Sequence, residues 1–283
     1  MAQLNAIVVP VFNAAAETRR CFDALKATIP DRQSVIVIDD ASTDPEIADL
    51  LARLPASWVR VSNRENAGFV GSANLGISLA SPADVILLNS DTQVTRGWLK
   101  ALLDCAGSDR RIASVTPLSN NAEIASIPAF CQNNPVPDDL SQWAQACLES
   151  GPPEYPDVPT GVGFCLFMRR ACLDDIGSFD EAAFGRGYGE ENDWCMRASG
   201  AGWRNVLCDA AFVAHEGNAS FGPLGLAPND RAMETLLARH PDYMERVREF
   251  IDADPMAARR EVILNYYRSL SQAGDSSQPR NVV

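Results

Sequence analysis

Short apolar runs rich in Val and Ile recur through the first 118 residues: NAIVVPVF at 5–12, SVIVID at 34–39, SWVRV at 57–61, DVILL at 84–88 and a fifth at 111–115. Most of them lack the polar alternation of a half-exposed strand and read as strands buried on both faces. The stretches between them, 14–28, 45–54, 70–80 and 98–106, have the length and composition of helices. Alternation of this kind predicts an α/β fold with a mostly parallel, Rossmann-like sheet flanked by helices. Ligands bind such sheets at the carboxyl ends of the strands. The residues leaving those ends are Asn13, Asp39 and Asp40, the stretch 63–66, and Asn89, Ser90 and Asp91.

The pattern changes after residue 118. Residues 119–160 are rich in Pro and Asn with one helical stretch at 140–150, and read as a long excursion over the sheet. An apolar strand follows at 161–169 (GVGFCLFMR), then a Gly-rich loop opened by FDE at 179–181, a helix at 193–201 ending at Gly202, and one or two strands at 205–215. From 229 to 270 the pattern is helical, broken at Pro241 and Pro255, and 271–283 reads as a disordered tail.

The balance of 24 Lys and Arg against 37 Asp and Glu gives a net charge of −13 over 283 residues. That argues against nucleic acid or an anionic membrane face as the main partner, since both reward clustered cations. A phosphate-bearing small ligand stays open, because a divalent metal can neutralise an acidic pocket locally. The eight cysteines form no C-x-x-C pair, so a structural zinc site is not expected, and most read as small buried apolar residues. The N-terminus does not read as a signal peptide and no run is long enough for a membrane-spanning helix. A cytoplasmic protein is expected, with a peripheral place at the inner face of the membrane left open.

Three acidic clusters are candidates for chemistry. Asp39 and Asp40 could accept hydrogen bonds from a nucleobase or ribose, or simply cap the next helix. Asp91, on the turn after the fourth strand, suits Mn²⁺ or Mg²⁺ shared with phosphate oxygens, against the plainer role of an Asx-turn. Glu190, Glu191 and Asp193 open a helix, where the dipole alone would favour acids, yet beside a Gly-rich loop they could supply a general base. His215 leaves an apolar strand in a position suited to a metal or diphosphate, whereas His240 reads as structural or exposed.

Taken in order, VVPVFN (8–13), VIVIDDASTD (35–44), NRENAGFVGSANLGI (63–77), VILLNSDTQV (85–94), GVGFCLFMRR (161–170), GSFDE (177–181), GEENDWCMRASGAGW (189–203) and VAHEGNASFG (213–222) resemble the inverting nucleotide-sugar glycosyltransferases of family 2, which have the GT-A fold. The branch most similar extends bacterial surface polysaccharides and includes rhamnosyltransferases. The resemblance implies a catalytic unit over 1–228, with a nucleotide-binding half at 1–118 and an acceptor-binding half at 119–228, followed by the helical extension. It implies a UDP-, dTDP- or GDP-linked sugar as donor, a glycan or lipid-linked glycan as acceptor, and Mn²⁺ or Mg²⁺ as cofactor.

Residue by residue, Asp39 is similar to the family Asp that recognises the nucleobase, with Asp40 beside it. Pro10, Phe12 and Asn13 fall in the first nucleotide-side motif, Asn66 and Gly68 in the loop framing the nucleotide, and Asn74 on the helix after it. Asp91 matches the last position of the DXD-type metal motif, whose first position is here Asn89, with Ser90 between. That leaves the metal site one charge short. Glu191 falls where the family places its catalytic base, usually Asp; the longer side chain keeps Glu190 as a second candidate, with Asp193 in the same cluster. His215 matches the family's late metal- and diphosphate-side His, and Gly161, Gly163 and Trp194 the acceptor side.

A sugar nucleotidyltransferase would carry a Gly- and basic-rich N-terminal loop that VVPVFNAAAETRR lacks. A retaining enzyme of the same fold stays open, and an inactive carbohydrate-binding or scaffold protein would have lost the acids that are present. The C-terminal helices leave open packing on the catalytic unit, a homodimer, or a junction with a further domain.

Overall fold

The computed structural model describes residues 5–217 and 230–276. Eight strands are present among them: β1 (Asn5–Val11), β2 (Ser34–Asp39), β3 (Val59–Ser62), β4 (Asp84–Leu88), β5 (Thr92–Val94), β6 (Ile112–Leu118), β7 (Cys165–Met168) and β8 (Arg204–His215). They form one curled sheet in the order β3-β2-β1-β4-β7-β6-β8-β5. The helices α1 (Ala15–Thr28), α2 (Pro45–Ala52), α3 (Gly68–Leu79) and α4 (Trp98–Ser108) fall close to the sequence expectation. After them come α5 (Leu140–Glu149), α6 (Arg170–Ile176), α7 (Glu181–Phe184), α8 (Glu190–Gly200), α9 (Asp230–Arg239), α10 (Tyr243–Ala253) and α11 (Ala257–Ser276).

The β3-β2-β1-β4 block is parallel, as is the β6–β8 pair, but β7 runs antiparallel to both β4 and β6, and β5 antiparallel to β8. The reversal of β7 follows from the excursion at 119–164. The chain leaves β6 at its carboxyl end and re-enters opposite Leu88, the last residue of β4, so it can only run backwards. One sheet therefore passes through both expected halves. β7 is fully buried between its neighbours, which is why its sequence is as apolar as that of a parallel strand.

Both sheet faces are covered. On one, Phe22, Leu25, Trp98, Leu102, Trp143 and Phe212 pack with the inward residues of β1, β4 and β8. On the other, Val70, Ala73 and Ile77 of α3 meet Val8, Ile36 and Leu87, with Cys172, Trp194 and Cys195 alongside. The C-terminal helices pack back on this unit. Arg259 of α11 pairs with Asp209 of β8 at 2.6 Å, both side chains out of water. Pro241 and Pro255 fall in the two breaks, as expected. The expected tail is corrected, since α11 continues through Ser276; residues 277–283 lie outside the described residues, as do 218–229 with the end of the 213–222 motif. Among the described residues no helix is long and apolar enough to cross a membrane.

Candidate active site

A cavity of about 250 Å³ opens at the carboxyl ends of β1, β2 and β4, where the sheet rule puts a ligand. One wall is Pro10, Val11 and Phe12 leaving β1, with Asp40, Asn66, Gly68, Phe69 and Ser72. Asp40 is buried, and its carboxylate accepts from the backbone N–H of Ala67 (2.8 Å) and Gly68 (2.9 Å) and from Asn63 Nδ2 (2.8 Å). It thus holds open the first amides of α3, a cap formed across the crevice rather than on the next helix. Gly68 sits at φ +79, and a Cβ there would lie 2.8 Å from Arg186 Cα. Only glycine allows both that backbone and that approach.

Asp39 is absent from this lining: its Oδ1 accepts from Ser42 N at 3.0 Å. Of the two aspartates expected on the nucleotide side, only Asp40 lines the cavity, because the alternation of β2 carries its neighbour to the other face. Asn13 also stays outside, its Oδ1 accepting from the N–H groups of Thr43 and Asp44 and so tying β1 to the loop before α2. Asn74 does not reach the cavity either. Both ends of its amide engage the backbone of Phe179, at 3.0 and 3.1 Å.

The floor is the turn after β4. Asn89, Ser90 and Asp91 line it together with His215 from the end of β8. His215 Nδ1 lies 2.8 Å from the carbonyl of Asn121, which can only accept, so Nδ1 carries the proton and Nε2 faces Asp91 Oδ1 at 3.5 Å. Burial works against the imidazolium, but the neighbouring Asp91 outweighs it and raises the His215 pKa above its usual value. The ring stacks on Phe164, centroids 5.1 Å apart. Asn89 Oδ1 is buried with no hydrogen-bond partner among the described residues. This oxygen, the Asp91 carboxylate and the His215 imidazole line one cavity, and oxygen and imidazole donors of this kind fit Mn²⁺ or Mg²⁺. Among the described residues no three His, Cys, Asp or Glu side chains converge as a metal cluster of their own. Asn89 accounts for that, standing where an acid would complete the set.

The far wall carries the acids of α8. Glu190 and Glu191 both line the cavity, and each has a buried Oε2 without a hydrogen-bond partner among the described residues. Burial pushes the Glu191 carboxyl up to about 7, with the charge of Glu123 adding to the rise and backbone N–H groups opposing it. Glu190 is pushed well above the carboxylate range, by burial first and then by Glu191. Gly163 faces Glu191 closely, so that a Cβ there would lie 3.6 Å from its carboxyl.

Three expected site residues prove structural. Asp193, two positions beyond Glu191 and so on the opposite side of the helix, is fully buried. It pairs with Arg197 (2.8 Å), His240 (3.0 Å) and Arg239 (3.3 Å), binding α9 to α8. Burial alone would raise its pKa, but these partners lower it. Trp194 is core, its Nε1 donating to the carbonyl of Gly177. Gly161 is a packing glycine, its hypothetical Cβ only 2.4 Å from Leu166 Cδ1. Conversely, Glu123, Arg186 and Tyr188 line the cavity without having been singled out. Arg186 and Tyr188 belong to the Gly-rich loop already noted for its acids, whereas Glu123 lies in irregular chain where no periodicity marks an inward position.

An uncharacterized protein of Mycobacterium bovis is 28% identical over 224 residues, covering 76% of this chain and 77% of its own. The N-acetylglucosaminyl-diphospho-decaprenol L-rhamnosyltransferase of Mycobacterium tuberculosis is 26% identical over 248 residues, covering 78% and 79%. The crystal structure of GalNAc-T7 with UDP, GalNAc and Mn²⁺ superposes with a TM-score of 0.59 at 13% identity, covering 93% of this chain and 54% of that one, a likeness of fold. With the model of glycosyl transferase family 2 matching residues 6–177, the chain belongs to that family and is a glycosyltransferase with the GT-A fold.

Proposed function

We propose that the enzyme transfers a sugar, with inversion, from a nucleoside-diphosphate sugar to a hydroxyl of a glycan or lipid-linked glycan in the synthesis of a bacterial surface polysaccharide. The observation that carries this reading is the opposition, across one cavity, of Glu191 with its raised carboxyl and the turn of Asn89, Ser90 and Asp91 beside His215. The sugar-acceptor chemistry in the name of the mycobacterial rhamnosyltransferase supports the acceptor class.

The nucleoside occupies the wall of Pro10, Phe12, Asp40, Asn66 and Gly68. Asp40 fixes that wall from behind by holding the Ala67 and Gly68 amides. Asn89, Asp91 and His215 would hold a divalent cation, which supplies positive charge for a departing diphosphate. Glu191 Oε2 accepts the proton of the acceptor hydroxyl as that oxygen attacks the anomeric carbon from the face opposite the diphosphate. A carboxyl near 7 is well matched to this task, and general base catalysis of this kind is worth about 10²–10⁴-fold.

Thermal unfolding with UDP, dTDP or GDP, each with and without Mn²⁺ or Mg²⁺, tests the reading. A nucleotide at 100 times its Kd stabilises by about 2.7 kcal/mol. One nucleotide is expected to raise Tm in a metal-dependent way, and Asp91→Ala to remove the metal-dependent part. If no nucleotide moves Tm in either condition, the reading fails.

A further inference from the structure

Glu123 opens a three-residue 3₁₀ turn, Glu123–Ala125, in the excursion after β6, at φ +47. A side chain other than Gly, Asn or Asp in the left-handed region persists only where the surrounding fold over-determines it, and such positions gather at functional sites. Here the surroundings do so. Ser119 N donates to Ala125 O, Ile127 N to Ser119 O, Ser126 N to Glu123 O and Ala122 N to Ser126 Oγ, all within 2.8–3.1 Å. Ala122, Ile124 and Ala125 are buried beneath. The turn is stapled to the end of β6 with only the Glu123 side chain turned to the cavity, beside Val162, Gly163 and Glu191. No hydrogen bond or ion pair to another described residue engages that carboxylate. The same cavity is lined by Glu190 and Glu191, whose Oε2 atoms are buried with no hydrogen-bond partner among the described residues.

We propose that Glu123 is an acceptor-binding residue that accepts a hydrogen bond from the hydroxyl neighbouring the one Glu191 deprotonates, and so selects an acceptor whose reacting end is an uncharged polyol. A carboxylate with both oxygens free suits adjacent hydroxyls, which only donate to it. The same carboxylate, with Glu191 and Asp91 lining the same cavity, repels a phosphate or carboxylate brought to the reacting position. The charge of Glu123 is felt by the Glu191 carboxyl, in keeping with their shared place in the cavity lining. This inference rests on the transferase reading.

The test compares wild type, Glu123→Gly and Glu123→Gln against p-nitrophenyl hexosides, their single deoxy analogues and hexose 6-phosphates. Glycine relieves the backbone at φ +47, so Glu123→Gly should keep or raise Tm and keep the nucleotide-induced Tm rise. It should raise the KM for the best hexoside by about 10-fold or more, the worth of a hydrogen bond to a charged group, with a smaller effect on kcat. One deoxy hexoside, poor with wild type, should match its parent with Glu123→Gly. An unmoved hexoside KM, a parallel loss of nucleotide stabilisation, or wild-type use of hexose 6-phosphates equal to that of hexosides would overturn the proposal. If wild type binds no nucleotide, the transferase reading has failed. Ligand-observed NMR of the hexosides then judges Glu123 separately: binding lost in Glu123→Gly supports it, and binding unchanged ends it.

Discussion

Replacing Glu191 by Gln should stabilise the protein at neutral pH while abolishing transfer, and the pH dependence of that gain is the informative part. The folded carboxyl titrates near 7 against an ordinary value of 4.5. Between those values the folded state holds a proton that the unfolded state has lost, so stability falls as pH rises from 4.5 to 7 and stays at its lower level above. At 1.36 kcal/mol per unit, the penalty above pH 7 is at most about 3–4 kcal/mol. Gln keeps the shape without the charge and removes the penalty, minus what it loses in hydrogen bonds from the backbone N–H groups that favour the carboxylate. The net gain should be about 1–3 kcal/mol at pH 8 and vanish near pH 4.5, a Tm rise of about 2–4 °C per kcal/mol. Calorimetry of both proteins from pH 4.5 to 8 measures it. A gap that is constant with pH, or a variant less stable at pH 8, would refute the burial argument. In the proposed mechanism the same titration should make kcat/KM of wild type fall about tenfold per unit below pH 7, the acid limb of a base that must be ionised.

Other perturbations report on the scaffold. Gly76→Ala puts a Cβ 2.2 Å from Val8 Cγ1, where α3 lies on β1, and should cost about 1–3 kcal/mol in urea unfolding; an unchanged midpoint would mean that helix and strand separate easily. Arg259→Met strands the buried Asp209 carboxylate, which also accepts from the N–H of Glu154 and of Tyr155, and should cost about 3–5 kcal/mol. A loss below about 1 kcal/mol would show that Asp209 is relieved by water or protonation. Asp193→Asn weakens the pairs to Arg197, Arg239 and His240, so the amides of α9 should exchange hydrogen faster while those of β1 do not. The Asp193 pKa is lowered, so its contribution is present at neutral pH and is lost as pH falls through the folded value; α9 protection that stays level into acid would contradict the assignment.

The parallel block was legible because buried strands and amphipathic helices have different periods, and each buried run is written in consecutive apolar letters. The sequence also marked the strand ends where a ligand binds, and ordered motifs marked the family. Neither route separates residues that share a motif but not a face. Asp39 and Asp40 are adjacent letters, yet the strand pleat sends only the second to the cavity. Glu191 and Asp193 stand in one acidic run, yet the helix turns them to opposite sides. Asn74 and Trp194 look like site residues until Phe179 and Gly177 are seen to engage them. β7 reads like any buried strand, and its reversal is fixed by where a 46-residue excursion brings the chain back. What the sequence determined alone is local: period, turn chemistry and residue type. Tertiary structure decided direction, which of two neighbours faces the cavity, and the presence there of Glu123, because the irregular chain after β6 reaches the cavity only once the sheet has closed around it.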